Sequence, residues 1–321
     1  MDFLVRRDNL HECRSVDSPA AALGAGQARL AIDAFGLTSN NITYGVLGDG
    51  MSYWSFFPAA EEGWGRIPVW GFADVVESKH DELEEGTRVF GYFPPSSTVV
   101  FEPGRVNDRG FVDASPHRAE LPAAYNSYTR VDADPGYSPE HEDLQMLLRP
   151  LYFTSFLIDD WLDDEGFFGA SSVVFSSASS KTAAGTAFLL SKREGLDVVG
   201  LTSPGNADFV ERLAIYDRVI SYEAVESLPQ EPTVYVDMSG DAGVRAAVHG
   251  RLGEALTHSS WVGGTHWDQL DAGGQALPGP EPKLFFAPDR VAKRLRDWGA
   301  GLEQRLAEAW SPLVEWTAGW L

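Results

Sequence analysis

The run Ser177-Ala178-Ser179-Ser180-Lys181-Thr182 gathers hydroxyls and one ammonium where an apolar strand gives way to a helix. A helix start offers unpaired N–H groups and partial positive charge, so these residues could grip a phosphate. Lys181 is one of only five lysines in the chain. Dinucleotide folds normally place Gly-x-Gly-x-x-Gly in this turn, so that bare backbone can approach a pyrophosphate. Here no glycine appears before Gly185, and the fingerprint is absent. A second reading fits the same residues, with Ser179 or Ser180 a plain N-cap and Lys181 a solvated first-turn side chain.

One strand later, a site for NAD usually carries Asp or Glu to hold the ribose hydroxyls. This chain has Gly200-Leu201-Thr202-Ser203-Pro204-Gly205-Asn206, without an acid. An acid would repel a 2′-phosphate, whereas hydroxyls and amides accept one, so a bound dinucleotide would be NADPH. A simple turn would look much the same. Other devices are missing. No Tyr-x-x-x-Lys, Ser-x-x-Lys or Gly-Lys-Ser/Thr occurs. His11-Glu12 and His141-Glu142 lack the second histidine of a zincin.

The elements around these residues divide into two textures. Up to residue 120 the chain is rich in Gly, Pro and aromatics, with short alternating runs at 28–35, 72–77, 87–92 and 98–101. That predicts a β domain. From about residue 144 strands and helices alternate. Residues 147–162 read as a helix with Pro150 in its first turn, 172–176 as a buried strand, and 181–194 as a helix. Strands at 198–201, 218–220, 233–237 and 260–262 follow, with helices at 206–213 (N-cap Asn206) and 241–257. The tail, 291–316, is helical, with Trp298, Leu302, Leu306 and Trp310 on one face. Such alternation predicts an α/β chain with a doubly wound parallel sheet.

Composition narrows the function. The 321 residues hold 47 acidic and 25 basic side chains, a formal net charge of −22. That charge repels phosphate backbones and anionic membrane surfaces, which argues against a nucleic-acid or membrane partner. Cys13 is the sole cysteine, which excludes an internal disulfide framework and a Cys-rich zinc site. No signal-peptide h-region and no run of roughly 18 apolar residues is present. The expectation is a soluble, cytoplasmic protein.

Several segments together carry a resemblance: 36–45 (GLTSNNITYG), 68–76 (PVWGFADVV) and 85–91 (EGTRVFG). Their order resembles the N-terminal GroES-like domain of the medium-chain dehydrogenase/reductase superfamily, in its zinc-free quinone oxidoreductase branch. More closely, the chain resembles an uncharacterised bacterial family related to that branch, through 44–59 (YGVLGDGMSYWSFFPA), 176–183 (SSASSKTA), 200–206 (GLTSPGN), 263–267 (GGTHW) and 285–288 (FFAP). The resemblance implies a GroES-like substrate domain over 1–130 and 275–321, and a Rossmann-like dinucleotide-binding domain over 131–274. It implies NADPH as cofactor and no zinc, since Thr38, Ser39 and Trp70-Gly71-Phe72 stand where zinc-dependent members carry Cys and Gly-His-Glu.

On the same resemblance the phosphate loop maps onto Ser177, Ser179, Ser180, Lys181 and Thr182. The adenosine 2′-phosphate maps onto the region of Thr202, Ser203, Asn206 and Tyr222, and the nicotinamide flank onto Gly263 and Thr265. Zinc-free members place an Asn and a Tyr beside the nicotinamide, matched here by Asn40 or Asn41 with Tyr44 or Tyr53. A hydrogen-bond donor must then replace zinc at the developing oxyanion; Tyr44, Tyr53, Asn41 and His266 are the candidates. The implied activity is reduction of a small apolar enone, quinone or ketone by a homodimer. Two alternatives stay open: a binding protein that kept the fold and lost the cofactor, and a non-redox lyase or isomerase. Tyr44 and Tyr53 also read as core, and His266 as a buried histidine bonded to backbone.

Overall fold

A computed structural model describes residues 1–19, 22–262, 277–299 and 301–320. The chain divides into two compact units, Met1–Leu147 and Leu148–Leu321.

The first unit contains β1 (Asp2–Arg6), β2 (Cys13–Val16), β3 (Ala28–Gly36), α1 (Ser39–Val46), β4 (Trp64–Gly65), β5 (Val69–Ser78), β6 (Arg88–Phe93), β7 (Thr98–Phe101), β8 (Pro103–Asn107), β9 (Gly110–Asp113) and β10 (Ser127–Arg130). A seven-stranded sheet runs in the order β7-β3-β5-β6-β10-β9-β8, and a three-stranded sheet in the order β2-β1-β4. Neighbouring strands pair antiparallel, as in Phe72↔Phe90 between β5 and β6. The alternation that marked 28–35 and 72–77 fills a core of Leu30, Val69, Val75, Val89, Phe93 and Phe101. Arg88 gathers Asp33, Asp74 and Glu142 at 2.8 Å each, tying three segments of the unit. Glu142 opens α2 (Glu142–Asp164). Pro150 therefore lies in the interior of this helix rather than in its first turn, because the helix starts well before the apolar run.

The second unit contains β11 (Ser172–Phe175), α3 (Lys181–Leu190), β12 (Asp197–Thr202), α4 (Ala207–Arg212), β13 (Arg218–Ser221), β14 (Thr233–Asp237), α5 (Ala242–Leu252), β15 (Leu256–Trp261), β16 (Lys283–Leu284), α6 (Ala287–Trp298) and α7 (Gly301–Thr317). Its sheet order is β13-β12-β11-β14-β15-β16, and every pair is parallel. Strands β11 and β14 are buried at every residue, as parallel strands covered on both faces must be. After β13 the chain returns to the far side of β11 to form β14. The strand order thus reverses between β11 and β14, and in such sheets ligands bind beyond the carboxyl ends of those two strands.

Helices α6 and α7 belong to this second unit. Tyr152 Oη donates to the Ala309 carbonyl at 2.7 Å, and Trp316 Nε1 to that of Leu213 at 3.1 Å. Arg290 and Arg294 both clamp Asp160, at 2.6 and 2.7 Å. This division differs from the expected one: the boundary falls at 147 rather than 130, and the tail packs with the parallel sheet. The polar clamps explain the difference, because the tail's apolar stripe alone does not name its partner.

Candidate functional site at the strand switch

Strand β11 ends where the reversal lies, and the residues that follow form a tightly bonded turn. Ser177 adopts the left-handed conformation, φ 51°, that dinucleotide turns usually give to glycine. Its N–H donates to Tyr222 Oη at 2.8 Å. The Ala178 N–H donates to the Leu201 carbonyl at 3.0 Å, and Tyr216 Oη donates to the Ala178 carbonyl at 2.9 Å. Gly200 makes room for this, since a Cβ there would lie 2.9 Å from Ala178 Cβ and 3.0 Å from the Tyr216 ring. Ser180 is the N-cap of α3 and accepts from the Ala183 N–H at 3.3 Å.

Beyond that cap the donors are uncommitted. Among the described residues, no hydrogen bond takes up the N–H of Ser179, Lys181 or Thr182, and no carboxylate pairs with Lys181. Lys181 is exposed, beside an apolar hollow walled by Tyr152, Leu313, Trp316 and Trp320. Asn206 occupies the N-cap position of α4 but does not cap it; its Nδ2 donates to Ser179 Oγ at 3.2 Å, joining the two expected phosphate segments. Thr202 Oγ1, at the end of β12, is buried without a partner among the described residues. Ser203 follows it, half-buried, its carbonyl accepting from the Asn206 N–H at 3.0 Å. The turn therefore brings Ser177, Ser179, Ser180, Lys181, Thr182, Thr202, Ser203, Asn206 and Tyr222 to the carboxyl ends of three adjacent strands. An orphaned buried hydroxyl, unshared N–H groups and an unpaired ammonium form a donor surplus, which fits an anionic phosphate. Burial raises the Tyr222 phenol above its ordinary range, so it stays neutral and serves as a hydroxyl.

A buried carboxylate completes the switch, and sequence reading missed it. Asp237 closes β14. Its Oδ1 accepts from Ser176 Oγ at 2.7 Å, Ser239 Oγ at 2.8 Å, and the N–H groups of Ser239 and Gly240 at 3.0 and 3.1 Å. Arg245 Nε donates to its Oδ2 at 2.9 Å. Ser176 Oγ in turn accepts from the Met238 and Ser239 N–H groups. The pair Ser176–Asp237 thus pins the ends of the two central strands together. The available signal was an acid ending the strand-like run Thr233 to Asp237, whose β-branched and aromatic residues mark it for burial, where a carboxylate is costly unless paired.

The first unit holds the other expected residues. Asn41 is buried and fully engaged: Oδ1 accepts from the Thr38 N–H at 2.7 Å, and Nδ2 donates to the Pro68 carbonyl at 2.9 Å. It completes a capping box for α1. Tyr44 and Tyr53 lie in the aromatic core, ring centroids 4.8 Å apart, with Tyr92 and Tyr125 against them. Burial pushes the Tyr44 phenol up to about 12, against the lesser effect of hydrogen bonds from Trp70 and Asn40. Gly263, Thr265 and His266 lie outside the described residues. Among the described residues no group of three or more His, Cys, Asp or Glu could hold a metal ion, and no helix is long and apolar enough to cross a membrane.

The family model described as "Protein of unknown function (DUF2855)" matches residues 35–320. No curated protein matches the sequence. Among solved structures, CurA from Vibrio vulnificus in complex with NADPH is similar at 14% identity and TM-score 0.61, over 96% of this chain and 88% of that one. A mutant form of enoyl thioester reductase from Candida tropicalis is similar at 10% identity and TM-score 0.54, over 97% and 87%. Haloferax mediterranei glucose dehydrogenase in complex with NADP, Zn and gluconolactone is similar at 13% identity and TM-score 0.53, over 91% and 88%. At these identities the likeness is one of fold, and the fold is the two-domain medium-chain dehydrogenase/reductase fold.

Proposed function

The chain belongs to the family of proteins of unknown function DUF2855, and from that premise, joined to its fold, we propose that it is an NADPH-dependent reductase of a small apolar enone, quinone or ketone. One observation supports this above the others: the donor surplus at the strand switch, with Lys181 unpaired and Thr202 Oγ1 orphaned among the described residues. The N–H groups of Ser179, Lys181 and Thr182 would hold the pyrophosphate, with the Lys181 ammonium offsetting its charge. Thr202, Ser203, Asn206 and Tyr222 would receive the 2′-phosphate, where an acid would repel it. When bound, the nicotinamide supplies a hydride. The protein's part is then to bind the substrate and stabilise negative charge on its oxygen. The first unit, as a GroES-like substrate domain, offers the Tyr44 hydroxyl for that role.

The reaction proceeds without zinc on this reading. Thr38, Ser39 and Trp70 offer no thiolate or imidazole where zinc-dependent relatives carry their ligands. Extensive dialysis against a chelator therefore leaves turnover unchanged, and a loss restored by zinc would overturn this part.

Calorimetric titration tests the reading directly. NADPH binds at least about tenfold tighter than NADH, a preference of about 1.4 kcal/mol. Failure of both to bind overturns it. Consumption of NADPH across a panel of enones, quinones and ketones then identifies the acceptor. One observation favours a second reading, a cofactor-free binding protein: the N–H groups of Ser177 and Ala178 are already spent on Tyr222 and Leu201. The same titration separates the two.

A further inference from the structure

The hollow beside Lys181 lies wholly within the second unit, and its polar groups divide into spent and unspent. Tyr152 Oη donates to the Ala309 carbonyl at 2.7 Å, Thr317 Oγ1 to that of Leu313 at 2.8 Å, and Trp316 Nε1 to that of Leu213 at 3.1 Å. Two donors are left. Trp320 Nε1 is buried and has no partner among the described residues, and no carboxylate there pairs with Lys181. An indole N–H can only donate, and so can an ammonium. No Asp or Glu lines the hollow. Its aromatic walls are braced from behind. Trp316 stacks on Phe188 at 5.1 Å between ring centroids, and Trp320 meets Trp316 at 5.1 Å and Phe209 at 5.8 Å. With its open mouth the hollow encloses about 270 Å³, just below the range of sites that enclose a drug-sized molecule.

Apolar walls with two unspent donors and no negative charge ask for a particular kind of molecule. A buried N–H left unmade is unfavourable, and an anion satisfies it and the ammonium together through charge-assisted hydrogen bonds. The apolar lining in turn takes hydrocarbon out of water. A short hydrocarbon chain fits the volume, whereas a dinucleotide does not. We propose that the hollow is a site for a short-chain aliphatic monocarboxylate, its carboxylate held by Lys181 Nζ and Trp320 Nε1 and its chain lying against Trp316 and Leu313. Lys181 is also the cation of the phosphate turn, so the acid and NADPH compete for one ammonium, and the acid regulates cofactor binding. Only this competition rests on the reductase reading; the site stands apart from it.

The test uses the full-length protein at low ionic strength and follows three probes by calorimetry: hexanoate, the uncharged hexanamide, and acetate, which lacks the chain. Hexanoate binds about tenfold tighter than either of the others. Lys181→Gln lowers hexanoate to the hexanamide level. Trp320→Phe keeps an aromatic wall, loses the N–H, and weakens hexanoate about fivefold in a protein that melts as the wild type does. Ala184→Leu fills the hollow from α3, so hexanoate binding is lost while NADPH binding stays. Saturating hexanoate weakens NADPH about tenfold in the wild type, as loss of the ammonium would, and has no such effect in Ala184→Leu. A wild-type protein that binds hexanoate no tighter than acetate or hexanamide overturns the proposal. Full hexanoate affinity in folded Trp320→Phe overturns it as well. If NADPH fails to bind while the three-probe pattern holds, the reductase reading falls and this site stands. If NADPH binds and the three probes do not differ, the site alone is removed.

Discussion

Among the described residues Lys181, like Lys79, Lys192 and several arginines, has no carboxylate partner, and what sets it apart is where it stands. Its place at the start of α3 adds a full charge to the helix's own positive end. Lys181→Ala therefore weakens NADPH about tenfold at low salt and less at high salt, while Lys181→Arg keeps most of the affinity. Calorimetry at two ionic strengths checks this, and an unchanged affinity would make the lysine a solvated first-turn residue. Asn41 makes the opposite case. Its type and position marked it for chemistry, yet both ends of its amide are used to hold α1 against Pro68. Asn41→Ala should cost about 2 kcal/mol of stability, one part cap and one part buried hydrogen bond, and leave NADPH affinity unchanged. Urea unfolding with a parallel titration measures both. The sequence could show the amide but not the carbonyl it meets, which lies 27 residues away.

Strands and helices of the second unit were legible because their physics is local. Buried parallel strands appear as unbroken apolar runs, so 172–176 and 233–237 fall on β11 and β14 almost to the residue. Alternation likewise located β3, β5, β6 and β7 in the first unit. Strands β1, β2 and β8 to β10 carried no such pattern, being only four or five residues long, too short for alternation to stand out. The phosphate loop was legible as a donor-rich turn, whereas Ser176–Asp237 joins two strand ends far apart in sequence. Helix ends show the same limit. Ala214, just past α4, takes a left-handed φ of 53° and is exposed, a conformation that glycine adopts without strain. Ala214→Gly should stabilise the protein by roughly 0.5–1 kcal/mol, because relief of strain exceeds the added chain entropy. A rise in melting temperature checks it, and a fall would mean that the entropy cost dominates.

Acid acts on the folded molecule through a few buried groups as well as through its many surface carboxylates. His258 is buried, stacked on Phe168 at 3.9 Å between ring centroids, with Nε2 unpartnered among the described residues. Burial, with Lys283 nearby, pushes its imidazole down to about 4. Burial also lowers His249, whose ring meets the Pro278 carbonyl and Ser259 Oγ at 2.8 Å each. In the unfolded chain a histidine titrates near about 6.5. Between these values the unfolded state takes up a proton that the folded state refuses, so stability is full above about 6.5 and falls as pH drops toward 4. For His258 alone the loss reaches about 2 kcal/mol at about pH 5. Protonation of surface carboxylates works the other way, by easing the self-repulsion of so acidic a chain. Asp159, raised by burial, also favours the folded state in mild acid. Only a difference measurement isolates the histidine. His258→Leu removes the titrating ring and its orphaned nitrogen at similar volume, so its stability near pH 7.5 stays within about 1 kcal/mol of wild type. Near pH 5 the variant gains about 2 kcal/mol relative to wild type, read from urea unfolding at both pH values. Parallel pH curves for the two proteins would mean that the folded state admits the proton, through an opening of the Gly166–Gly169 turn that carries Phe168. Both of that turn's non-glycine residues, Phe167 and Phe168, are left-handed, so its closure against His258 is held at a cost in backbone strain. The pH curve thus reads whether that closure survives in acid.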